Sequence, residues 1–139
     1  MGYQYYLRNL QGTLMYKDLR VCKFVIRDRE LVSCEYNSDS LTCLPWSLSE
    51  LGYGLTYAGF NDFFKYRVVK QGAQDIREYL NEMEMDHYDF ETLIKKMNGW
   101  DAVGQWWVDF DNCGYHCWED IRSGEYPIQY QDCCRSIID

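Results

Sequence analysis

The spacing of apolar positions changes partway along this chain, and the change predicts its architecture. Residues 19–27, L-R-V-C-K-F-V-I-R, and 31–36, L-V-S-C-E-Y, are β-rich runs parted by the charged turn Asp28, Arg29 and Glu30, which is the pattern of a hairpin. A strand is expected around 13–16 and another at 3–8, completing a small antiparallel sheet. Beyond the loop Asn37, Ser38, Asp39 and Ser40 the period becomes helical. Ile76, Tyr79, Leu80 and Met83 follow i, i+3, i+4, i+7 and predict a helix within 72–84; Phe90, Leu93, Ile94 and Met97 repeat the design. For this second helix Asp86 or Asp89 is placed to cap the start, Lys95 and Lys96 suit the end of the dipole, and Gly99 can take the left-handed stop. Shorter helices are expected at 60–68 and from Trp118, with a Trp-rich strand near 105–110. The expected fold is α+β, a small N-terminal antiparallel sheet followed by a cluster of short helices.

Length and punctuation make this one domain, 1–139, mainly β over 1–40 and mainly α over 41–139. Two prolines and ten scattered glycines leave no linker, low-complexity tract or internal repeat. The opening M-G-Y-Q-Y-Y-L-R lacks the apolar run of a secretory signal, so a reducing cytoplasm, that of a bacterial host cell, is expected. Seven cysteines, with no regular spacing between Cys22, Cys34 and Cys43, then fit buried free thiols better than a bridged framework. No apolar stretch approaches the roughly 20 residues that span a bilayer, so no membrane partner is expected.

Charge is sorted by position. Residues 1–29 hold six Lys or Arg against Asp18 and Asp28, a net of +4, whereas residues 75–139 carry a net of −10. Seven carboxylates, Asp75, Glu78, Glu82, Glu84, Asp86, Asp89 and Glu91, fall within the two predicted helices. Such a surface repels nucleic acid and attracts a protein whose working face is basic, although an acidic helix is also what an ordinary solvated face shows. Aromatic content of 17%, with thirteen Tyr and five Trp, adds residues suited to partner contact, and Trp106 and Trp107 are candidates to edge the acidic face.

Candidates for chemistry are few. C-G-Y-H-C brings Cys113, His116 and Cys117 together, with Cys133 and Cys134 further on, so a structural zinc held by Cys113, His116, Cys117 and Cys133 is one reading and a cysteine-rich loop the other. His87, in M-D-H-Y-D, reads as a solvated loop residue. G-Y-G at 52–54 lacks the Lys-Ser/Thr of a phosphate loop, and the carboxylates form no distinguishable acid/base pair, so the chain reads as a binding protein and not an enzyme.

Leu44-Pro45, F-F-K-Y-R ending at Arg67, the helices around Leu80 and Leu93, Q-W-W-V at 105–108 and W-E-D-I at 118–121 follow one another as landmarks do in a known segment. From about Cys43 to Ile121 the chain resembles the segment preceding the kinase domain in some bacterial HipA-like proteins. It departs from that pattern at Lys70, Ala73 and Gly104, and it carries no Gly-rich loop, catalytic Asp or metal-binding Asp for phosphoryl transfer. The resemblance implies an accessory-type fold reused as a binding module.

The function expected is inhibition of a basic nucleic-acid-binding host protein by the carboxylate-rich helical face. In general character the chain is similar to anti-CRISPR and other anti-defence proteins of phages and mobile elements. An accessory subunit of a HipA-like kinase toxin–antitoxin system is the alternative, and a small zinc-stabilised regulatory protein a second one.

Overall fold

The computed structural model describes residues 5–100, 104–110 and 117–123. Strands β1 (Leu10–Tyr16), β2 (Leu19–Arg27) and β3 (Glu30–Glu35) form a meander, and β4 (Trp106–Asp109) pairs with the free side of β1. The sheet is antiparallel throughout, in the order β3-β2-β1-β4. Two 3₁₀ turns, Ser38–Cys43 and Trp46–Leu48, lead to helices α1 (Tyr57–Lys65), α2 (Ile76–Glu82) and α3 (Phe90–Lys96), and α4 (Trp118–Ser123) follows β4. The class is α+β, as the period change predicts.

Local chemistry accounts for the boundaries. Asp28 and Arg29 both take positive φ, 51° and 64°, so the predicted hairpin closes on a two-residue turn whose twist matches the strands. β1 starts three residues before the expected strand, because Gly12 interrupts the visible alternation of Leu10 and Leu14 with polar neighbours. A side chain at Gly12 would stand 2.7 Å from Val108 Cγ1 of β4, so the gap is where the neighbouring strand packs. The strand expected at 3–8 is not formed over the described residues 5–8. There the Asn61 side chain of α1 takes the strand partner's place, accepting from Leu7 N at 2.8 Å and donating to the Tyr5 carbonyl at 2.8 Å.

Helix ends shift by similar local effects. Thr56 accepts from Gly59 N at 3.1 Å and starts α1 three residues before Phe60. Of the two candidate caps for α3 it is Asp89 that serves, accepting from Thr92 N at 3.2 Å. The left-handed stop falls on Asn98, φ 53°, with Gly99 left-handed beside it at φ 62°. Asn98 N then donates to Lys95 O and Gly99 N to Ile94 O, which satisfies two carbonyls at the helix end.

One face of the sheet carries the main core. Leu10, Leu14, Cys22, Phe24 and Ile26 pack against Phe60, Phe63 and Phe64 of α1 and Leu93 and Ile94 of α3. Phe24 sits 4.6 Å from Phe60 between ring centres. An extra residue in β2, Val21, lies opposite the step between Leu14 and Met15, and this bulge turns both Val21 and Cys22 inward. Strand alternation sends Met15 and Trp107 to the other face, where they meet Trp100 and Ile121 in a second cluster.

Arg67, just past α1, ties these parts together. Its Nε donates to Gly99 O at 2.7 Å and its Nη2 to Trp106 O at 2.9 Å, while its guanidinium lies 4.5 Å from the centre of the Phe63 ring. With Val108 N donating to Asn98 O at 2.7 Å, the outer edge of β4 is closed by the end of α3. Lysine keeps the charge and loses the fork. Arg67→Lys is therefore expected to lower the unfolding free energy by about 2 kcal/mol in urea titration, the scale of charge-assisted bonds lost to half-buried carbonyls.

Candidate protein-binding surface

Residues 68–98 form a lobe that Arg67 closes at its base, since the arginine and the Gly99 carbonyl it binds flank the segment. Tyrosine hydroxyls fasten the lobe, two from within it and one from Tyr5. Tyr88 donates to Val69 O at 2.7 Å, Tyr79 to Met97 Sδ at 3.8 Å, and Tyr5 accepts from Gln71 N at 2.9 Å. Burial pushes the Tyr79 and Tyr88 hydroxyls up from their usual range, helped at Tyr79 by the Glu82 charge and at Tyr88 by Tyr5, so both stay protonated as donors.

Helix α2 lies on the outside of this lobe and buries none of its own residues fully. Ile76, Tyr79 and Leu80 are half-buried, and Met83, directly after the helix, is buried in the main core. The opposite flank carries acid. Asp75, Glu78 and Glu82 are exposed and recur at i, i+3, i+7, which aligns them on one stripe, and exposed Glu84 and Asp86 continue it past the helix end. Among the described residues these five carboxylates accept no hydrogen bond.

The other two predicted carboxylates do structural work. Asp89 caps α3, and Glu91 Oε1 accepts from Arg8 N and from Asn9 N at 2.9 Å, holding the entry to β1. The tryptophans divide likewise. Trp107 is fully buried, with its Nε1 donating to Lys17 O at 2.8 Å, so it is a core residue that a partner does not reach. Trp106 is half-buried, donates to Cys43 O at 2.7 Å and packs on Tyr16, which sets it between the sheet and the first 3₁₀ turn. Each is tied into the framework by these bonds, and the burial of each follows from pairing partners that no local pattern reveals.

Glu84 occupies an unusual position. It stands at φ 58°, directly after the helix, with its N–H donating to Asn81 O and that of Met85 donating to Leu80 O. Helices favour Gly or Asn at this left-handed position, and a carboxylate faces the negative end of the helix dipole there. Local stability alone would not select a glutamate at this place.

The proposed zinc ligands Cys113, His116 and Cys133 lie outside the described residues, as does Cys134. Cys117 is described as a half-buried free thiol, and among the described residues no three His, Cys, Asp or Glu side chains gather around a common point. His87 is exposed between α2 and α3. Among the described residues, no helix is long and apolar enough to cross a membrane.

The landmarks that carry the HipA-like resemblance have structural roles here. Pro45 is buried, Arg67 is the clamp, and W-E-D-I opens α4, where Trp118 N donates to Asp18 Oδ1 at 2.7 Å. No protein-family model, curated protein or solved structure matches the chain.

Replacing Glu84 by glycine relieves both the left-handed strain and the dipole repulsion. Glu84→Gly is expected to raise the unfolding free energy by about 1 kcal/mol, read as a higher urea midpoint at unchanged slope.

Proposed function

We propose that this chain is a non-enzymatic protein-binding module whose α2 carboxylates dock on the basic groove of a nucleic-acid-binding protein and keep nucleic acid out. An anti-CRISPR or other anti-defence protein acts in this manner. The observation that carries the reading is Glu84, an acid retained where the helix end favours glycine or asparagine. Departures from local stability rules concentrate at functional positions, and this one extends an exposed acidic stripe whose carboxylates accept no hydrogen bond among the described residues.

The spacing suits the task. At 1.5 Å rise per residue, Asp75, Glu78 and Glu82 stand roughly 5 Å apart along the helix axis. One strand of a duplex presents charges about every 3.4 Å along its axis, so the stripe falls within a factor of two of the pattern a nucleic-acid groove accepts. Two exposed cations of the sheet have acids of their own opposite them. Lys23 stands opposite Glu35 and Arg27 opposite Glu30 across β2 and β3, so these two cations already face acids of their own sheet.

The test uses the immobilised chain and a bacterial lysate. Retained nucleic-acid-binding proteins are expected to elute with added duplex DNA and with rising salt. Reversal of Glu78, Glu82 and Glu84 to Lys is expected to abolish retention while the circular dichroism spectrum and melting temperature persist. Retention that survives the reversal, or that duplex DNA does not displace, overturns the reading. Glu84→Gly, the stabilised variant, is expected to retain less partner than the wild type.

A further inference from the structure

The start of β2 borders a hollow that the acidic stripe does not use. β3 ends at Glu35, opposite Lys23, so residues 19–22 of β2 extend past the end of their neighbour. The chain then turns away through Tyr36 and Asn37, and the 3₁₀ turn after them is tied back by Ser40, whose Oγ donates to Val21 O at 2.8 Å. Here opens a hollow of about 350 Å³, within the roughly 300–1,000 Å³ of pockets that hold small organic ligands.

Six polar side chains line it, those of Thr13, Arg20, Lys23, Glu35, Tyr36 and Asn37. Residues three apart in a regular strand face opposite ways, but the extra residue Val21 turns Arg20 to the side of Lys23. Arg20 pairs with Met15 and Lys23 with Thr13, and these partners stand two residues apart on β1 and so share a face. Both cations are exposed, as is Tyr36. Among the described residues none of the six side chains makes a hydrogen bond or an ion pair, and Asn37 leaves the 3₁₀ turn it precedes without a side-chain cap. Polar groups that converge on one space without serving the fold are the mark of a small-molecule site.

We propose that this hollow binds a nucleoside monophosphate, with adenosine monophosphate the best match to its wall. Arg20 and Lys23 together suit a phosphate monoester, whose charge of about −1.5 to −2 matches two cations where a carboxylate matches one. A planar base stacks on the exposed Tyr36 ring. The Asn37 amide offers the donor and acceptor that the edge of adenine takes. Glu35, the single acid of the wall, accepts from ribose hydroxyls and disfavours a ligand that is anionic along its whole length. The site uses none of the α2 carboxylates, so it holds whether or not they dock on a partner.

The experiment is calorimetric titration of the full chain with adenosine monophosphate, adenosine, inorganic phosphate and benzoate. Adenosine monophosphate is expected to bind at one site per chain, and each of the other three at least tenfold more weakly, since each engages only part of the wall. Arg20→Gln and Tyr36→Ala are each expected to weaken adenosine monophosphate about tenfold at unchanged melting temperature, both residues being exposed, while Tyr36→Phe keeps the ring and the affinity. No saturable heat at millimolar adenosine monophosphate overturns the proposal. So does inorganic phosphate or benzoate binding as tightly as the nucleotide, or nucleotide affinity that survives both Arg20→Gln and Tyr36→Ala.

Discussion

The Arg67 fork is the constraint on which the rest of this structure depends. β4 is separated from β1 by almost the whole helical part of the chain, so its pairing requires closing a long loop before any sheet contact rewards it. Arg67, from within that connection, binds two carbonyls at its far end, Gly99 after α3 and Trp106 at the start of β4. The same contact closes the lobe that holds α2. The position of the acidic stripe relative to the sheet is therefore set by an interaction that includes none of the acidic residues.

Charge is handled differently in the two layers. On the sheet, Lys23 and Arg27 lie opposite Glu35 and Glu30 in register, an arrangement that keeps an exposed antiparallel surface and an edge strand stable without inviting further strands. On the helical side the acids are divided between those that satisfy backbone donors, Asp89 and Glu91, and those of α2 that satisfy nothing. The α2 stripe thus runs from two acids at the positive end of the helix dipole, Asp75 and Glu78, to a glutamate past its negative end, Glu84, where the acid costs some stability.

The aromatic content has two explanations in one molecule. Tyr57 donates to Leu7 O at 2.8 Å, Tyr88 to Val69 O, and Tyr16 to Gln105 Oε1 at 2.8 Å, so these rings fill space while their hydroxyls satisfy polar groups where the chain lacks regular pairing. Trp46, Tyr53 and Tyr66 are instead exposed. Composition could not divide them, because a tyrosine that fastens a loop and a tyrosine that faces water have the same local sequence character.

Sequence alone determined the class of the fold, the span of β2, the hairpin with β3 and the existence of α2 and α3, since each is written in a local period of apolar residues or a charged turn. It also placed the carboxylates of α2, because helical spacing is enough to align Asp75, Glu78 and Glu82. Only tertiary structure decided that Leu7 and its neighbours form no strand, that Trp107 is core, and that Asp89 and Glu91 are structural. Each of these depends on a partner far along the chain, such as Asn61 for Leu7 or Lys17 for Trp107. A periodic pattern reports which way a side chain faces; which distant group it meets is settled only when the chain closes on itself.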